Sequence, residues 1–141
     1  MNQIKGAEMK SETGRRMMDA ARAKATEIGK GVSIAIVDTG GTLVMLERFN
    51  DPPPATAMVA EGKAVCSVMF GRDSGVIAGF ADRIPAVTNS LMARLNGRFV
   101  ALQGAVVVQV DGETVGAVGV SGATSEEDEA IAGAARDVYS A

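Results

Sequence analysis

Histidine is missing from all 141 residues. Its absence removes the usual proton shuttle near neutral pH and the commonest transition-metal ligand. Ser-His-Asp and Cys-His nucleophile arrangements go with it, as do histidine-ligated zinc and histidine-ligated haem iron. Tryptophan is also absent and tyrosine occurs once, at Tyr139, which leaves few aromatic faces for stacking sugars or bases. A single cysteine, Cys66, rules out an internal disulfide, so a reducing compartment, the cytoplasm, is the expected location. No apolar run nears the roughly 20 residues of a membrane span. The opening MNQIKGAEMKSETGRR has no apolar core of the signal-peptide kind. Positive charge is scarce too: 14 Lys and Arg against 17 Asp and Glu give a net charge of −3, with the basic residues spread along the chain. That balance argues against a nucleic-acid partner and against an anionic membrane surface.

What is present suits one domain over residues 1–141 with a real core, since 47% of residues are hydrophobic and 22% charged. Met17, Ala20, Ala21, Lys24 and Ile28 recur at helical spacing and predict a first helix over Ser11 to Ile28. Val32 to Val37 reads as a strand, Asp38-Thr39-Gly40-Gly41 as a tight turn, and Thr42 to Phe49 as the returning strand. Three successive prolines, Pro52 to Pro54, break the chain before a helix over Ala55 to Phe70. A short helix is expected near Val76 to Ala81, and another from Pro85 to Gly97. Two strands follow, Phe99 to Val110 and Glu113 to Val120, joined by the hairpin signal Asp111-Gly112. The last helix starts at Thr124 or Ser125, with Thr124 and Glu127 in a capping box. This order implies an α+β fold, one mainly antiparallel sheet with helices packed on it.

The stretch VGAVGVSGATSEEDEAIA, Val115 to Ala132, is the corner on which the rest is organised. Gly116, Gly119 and Gly122 keep the strand nearly bare, so another backbone or a ligand can come close. A strand, glycine turn and helix start suggest a phosphate cradle. Four carboxylates, Glu126 to Glu129, crowd the first helical turn and would repel an anion, and no glycine-rich nucleotide motif is present.

IAIVDTGGTLVMLERFND resembles the IAVVD-x-x-G-x-L-x-x-x-R-x-D signature of the GlcG/HbpS-like family, whose members are also described as haem-degrading-domain or corrinoid-adenosyltransferase C-terminal-like proteins. Ala60 with Lys63-Ala64 is similar to the family's A-x-x-KA helix, and VGAVGVSG followed by Glu127-Asp128-Glu129 to its VGAIGVSG…QDE. The resemblance implies a profilin-like α/β/α sandwich around a five-stranded antiparallel sheet, homo-oligomers, and a small-molecule ligand, with haem or a corrinoid as the cofactor in several members. Departures fall at Gln103 to Val107, at Glu127, at Cys66-Ser67 and at the proline loop, and no haem-binding histidine is available.

Lys63 is the first chemical candidate. Amid Val59, Cys66 and Phe70 at helical spacing, its amine is a usable base or Schiff-base group if desolvated, and otherwise snorkels or pairs with Glu61 or a carboxylate across the fold. Cys66, one turn on, is a nucleophile if its thiolate is favoured and plain core if it is not. Arg48 can clamp a carboxylate bidentately or pair with Glu47 or Asp51. Asp38 is a ligand candidate whose simpler role is capping its turn. Asp128 matches the family's Asp and is a candidate acid. No residue spacing points to a metal site.

Two functions compete. One is a ligand-binding protein for haem, a corrinoid or another small acidic molecule, held by Arg48 and Lys63 without a histidine ligand. The other is a cofactor-free enzyme acting on a carboxylate-bearing metabolite, with Lys63 and Asp128 moving protons and Arg48 orienting the substrate.

Overall fold

A computed structural model describes residues 9–140, so the first eight residues of the N-terminal segment discussed above lie outside it. Helix α1 spans Ser11–Ile28, strand β1 Val32–Val37, strand β2 Leu43–Phe49 and helix α2 Ala55–Phe70. Short helix α3 covers Ser74–Ala78, a 3-10 turn Ala81–Arg83 and helix α4 Pro85–Arg94. Strands β3, Ala105–Val110, and β4, Glu113–Ser121, precede helix α5, Ser125–Ser140. No helix among the described residues is long and apolar enough to cross a membrane.

The sheet runs β2-β1-β4-β3, antiparallel at every pairing. Among the described residues it has four strands, not the five that the resemblance implies. Nor does the third strand begin at Phe99, as the apolar run FVALQGAVVV suggests. Residues 99–104 leave the sheet and cross the outside of α2 as a strap. Phe99 is buried against Cys66 and Ile77, and the Val100 N–H donates to the Gly62 carbonyl at 3.1 Å. The chain rejoins the sheet at Gly104, whose φ of +138° favours glycine. A buried run reads as a strand whether it packs in a sheet or over a helix, and periodicity alone does not separate the two.

The strap explains α2. Ala60 and the whole run from Gly62 to Val68 are buried, so the middle of the helix has no wet face, while Met58 and Met69 nearer its ends stay exposed. Ala64, Val65 and Val68 pack on Val37 and Ala117 of the sheet, while Cys66 meets Phe99 and Ile77 on the outer side. The opposite face of the sheet carries α1 and α5. Ile34, Ile36, Val118 and Val120 pack there against Met17, Met18, Ala21, Ile131 and Ala135. Strand β1 is thus covered on both faces and all six of its residues are buried. In α1 the buried positions are Gly14, Met17, Met18, Ala21 and Ala25, while Ala20 and Lys24 sit at the margin, because this helix contacts α5 more than the sheet.

The capping box forms as the sequence predicts. The Glu127 N–H donates to Thr124 Oγ1 and the Thr124 N–H to Glu127 Oε1, each at 3.1 Å. Replacing Thr124 with Ala should lower stability by about 1 kcal/mol, read as a shifted urea midpoint with unchanged slope.

Candidate functional site

Lys63 and Asp128 come together, although they stand on helices that cover opposite faces of the sheet. Strand β3 begins only at Ala105, and the Val120 N–H of β4 donates to the Gly104 carbonyl just before it. At that strand end the lysine stem passes the sheet. Its Nζ donates to the Val120 carbonyl at 2.9 Å and to Asp128 Oδ2 at 3.2 Å. The other carboxylate oxygen of Asp128 accepts the Ala123 N–H at 2.9 Å, which fixes the turn entering α5. Both side chains are nearly closed to solvent, 5% exposed for Lys63 and 4% for Asp128. A Cβ on Gly104 would lie 2.6 Å from the Lys63 Nζ, so the strap also shapes the ammonium's seat.

The electrostatics follow from that burial. Desolvation raises the Asp128 pKa above its ordinary 3.8, and the Ala123 N–H and the Lys63 charge offset it only in part. Glu127, at the mouth of the same turn, is held below its usual range chiefly by the Thr124 N–H, then by Lys30 3.3 Å away.

Cys66 lies one turn beyond Lys63 and is turned away from it, into the Phe99 and Ile77 cluster. Burial pushes its thiol pKa up to about 12, so at neutral pH it is a protonated core group. An aromatic disulfide reagent should therefore leave the native protein unlabelled and react with one thiol per chain in denaturant. Labelling at the native rate of a free thiol would overturn this.

Arg48 sits apart from the buried pair. It ends β2, its side chain 46% exposed, with Nη2 donating to the Pro52 carbonyl at 2.8 Å and lying 3.9 Å from Asp51. Glu47, the alternative partner, faces the other side of the sheet and meets Arg22 at 3.4 Å. Asp38 caps its turn, Oδ1 accepting the Gly40 and Thr42 N–H groups at 3.0 and 2.9 Å.

Sequence reasoning missed the hydroxyls between Arg48 and Lys63. Arg48, Ser33 and Ser121 are directly opposed on β2, β1 and β4, and so share the face that α2 covers. Arg48 and Ser121 stand about 10 Å apart, two strand spacings. Ser33 Oγ meets Thr56 Oγ1 of α2 at 2.8 Å. Ser121 is only 9% exposed, yet its hydroxyl has no partner among the described residues. The only sequence signal is that Ser33 is the one polar residue in VSIAIV and that Ser121 closes the apolar run VGAVGV. Among the described residues no three Cys, Asp or Glu side chains gather as a metal site.

The chain is similar to known proteins over most of its length. The family model described as haem-degrading protein HbpS-like matches residues 9–137. The 15.0 kDa protein of the dhaT-dhaS intergenic region of Citrobacter freundii is 31% identical over 126 residues, 89% of this chain and 88% of that one. GlcG of Escherichia coli K12 is 34% identical over 103 residues, 72% of each chain. Among solved structures, a double mutant of Streptomyces reticuli HbpS superposes with a TM-score of 0.82 at 25% identity, covering 93% of this chain and 86% of that one. PduOC, solved as a haem complex, has the same fold at a TM-score of 0.82 and 24% identity, covering 93% of this chain and 94% of that one.

Proposed function

We propose, for a chain that belongs to the HbpS-like family of haem-degrading proteins, that it binds a small acidic molecule at the end of the sheet covered by the first turns of α2. One observation carries this reading: the row of Arg48, Ser33 and Ser121, with an exposed guanidinium at one end and an unbonded hydroxyl at the other. Arginine keeps donors free for a carboxylate in the geometry that it reads bidentately. The family and a haem-bound structural relative support a tetrapyrrole, haem or a corrinoid, as the ligand. The side chains here fit the carboxylate periphery of such a molecule better than its metal. Histidine is absent, Cys66 is a buried thiol, and the Lys63 amine is engaged by Asp128. A bound tetrapyrrole would supply its own light absorption and redox chemistry. This chain's residues would hold the acidic edge. The same reading includes a homo-oligomer in the cytoplasm.

Titration with hemin and, separately, with metal-free protoporphyrin tests it. Both should bind, and Arg48→Met should weaken both by about ten- to a hundredfold, the loss of one charge-assisted contact. Binding of hemin alone, or no effect of the substitution, would overturn the carboxylate reading.

A second reading is favoured by the Lys63–Asp128 pair, because a buried lysine beside an acid of raised pKa is a proton donor and acceptor in one place. In it the protein is a cofactor-free enzyme on a carboxylate-bearing metabolite, oriented by Arg48. A Lys63→Met variant that stays folded and retains full turnover of an identified substrate would exclude it.

A further inference from the structure

The two edges of the sheet are treated differently. On β3 the outward N–H of Ala105 donates to Ser74 Oγ at 2.9 Å and that of Val107 to Asp73 Oδ1 at 3.0 Å, with Arg136 holding Asp73 from α5 at 3.2 Å. That edge is plugged by the start of α3. Among the described residues the β2 edge has no such cover. Its main neighbours are β1 inside the sheet and α1 and α2 on the two faces.

The pattern of the ladder says which backbone groups β2 presents. The Val120 N–H points to Gly104, away from β1, so Ile34, opposite Val120, turns its own groups toward β2. The Asp38 N–H, donated to the Thr42 carbonyl, fixes the same alternation from the other end. Glu47 and Met45, opposite Ile34 and Ile36, therefore pair inward, and Leu46 and Arg48 direct their N–H and C=O groups out of the sheet. Such an edge is a template for another strand unless it is blunted by lysine, proline or a covering element. LVMLERF contains neither lysine nor proline, and Leu43 and Leu46 are each 38% exposed. One irregularity, near Val44, leaves Met45 to Phe49 regular.

We propose that β2 pairs antiparallel with β2 of a second copy, about a twofold axis through Leu46, to make one continuous sheet across the dimer. The register is chosen by charge and length. A twofold perpendicular to the sheet sets each residue against one of the same face. Centring it on Glu47 opposes two carboxylates and centring it on Arg48 opposes two guanidinium groups, both unfavourable for directly facing pairs. Centring on Met45 sets Glu47 against Leu43 and leaves Arg48 facing Thr42, outside the strand. Centring on Leu46 keeps the whole strand within the pairing: Leu46 meets its own copy, Met45 meets Glu47, Arg48 and Phe49 lie opposite the irregular end at Val44 and Leu43, and no like charges face each other.

The pairing also completes a cleft. Arg15, Met18, Asp19 and Arg22, one stripe of α1, form one wall of it and Met45 and Glu47 of β2 the other. A second β2 along the edge extends the β2 wall with another Met45 and Glu47, and joins the two clefts across the twofold.

The inference rests on the homo-oligomer proposed above, and sedimentation equilibrium separates the two. The wild type should sediment as a dimer of the 14.4 kDa chain or a multiple of it. Leu46→Lys should weaken association at least tenfold with an unchanged circular dichroism spectrum, and mixing it with Leu46→Glu should restore association. Leu46→Cys should form a disulfide-linked dimer under mild oxidation, because Cys66 is buried and does not compete, whereas Met58→Cys should not. A monomeric wild type overturns both proposals. An oligomer that Leu46→Lys leaves intact, or that Leu46→Cys fails to crosslink, overturns this one alone.

Discussion

Replacing Lys63 with methionine should destabilise the protein by about 3–5 kcal/mol at neutral pH, the cost of leaving one member of a buried ion pair without the other. The stem of methionine fills most of the lysine's path, so little of this loss is packing. It arises at Asp128, which keeps the Ala123 N–H but loses the ammonium 3.2 Å away while remaining 4% exposed. Asp128→Asn should cost less, because the amide oxygen retains the Ala123 hydrogen bond, although it strands the lysine charge. A double variant, Lys63→Met with Asp128→Asn, should recover part of the single-variant loss, since the neutral amide needs no ammonium and keeps the Ala123 hydrogen bond. Urea unfolding of the four proteins measures the cycle, and additive losses would show that the pair is not coupled.

The pH dependence has a definite sign. Burial raises the Asp128 pKa in the folded state above 3.8, so the folded protein holds that proton more tightly than the unfolded chain. The resulting contribution is complete below the unfolded pKa near 3.8 and is lost as pH rises through the folded value. Lys63 is one of the influences that lower the Asp128 pKa. Removing it extends the window upward, so the Lys63→Met deficit should shrink on acidification from neutral pH toward the acid end of the window. An Asp128→Asn background should abolish that recovery. A deficit in Lys63→Met that is constant with pH would place the loss in packing instead.

The sequence carried the elements better than the site. Hydrophobic periodicity located α1, β1, β2 and α2, and cap chemistry located the start of α5, because these signals act within a few residues. Residues 99–104 misled it because a strap over a buried helix needs the same apolar residues as a strand, and the positive φ at Gly104, where the chain turns back into the sheet, is not read from an apolar pattern. Lys63 and Asp128 were each singled out, but their contact spans 65 positions and passes the sheet at a strand end. No local pattern encodes such a contact. The serines were hidden for a related reason: a lone Ser in a strand looks like noise until register aligns it with Arg48.

Gly119→Ala should be the most damaging single methyl that the sheet can receive, costing about 3 kcal/mol or more. Gly119 lies in β4 on the face covered by α2, and its φ is not in the left-handed region, so backbone conformation is not the obstacle. The obstacle is the helix. An added Cβ would overlap the Ala60 carbonyl oxygen and stand 2.8 Å from the Ala64 nitrogen, and backbone atoms cannot rotate away as side chains do. To admit it, α2 must lift from β4, which loosens Val65 and Val68 against Val37 and Ala117 and strains the seat of Lys63 on Val120. The same substitution at Gly133 in α5 meets nothing within 4 Å and should instead stabilise the protein by up to about 1 kcal/mol, through helix propensity and a less flexible unfolded chain. Thermal or urea unfolding of the two variants should therefore move in opposite directions. Equal effects would mean that α2 does not approach β4 this closely, and that the bare glycine strand at the centre of the VGAVGVSG motif serves something other than helix docking.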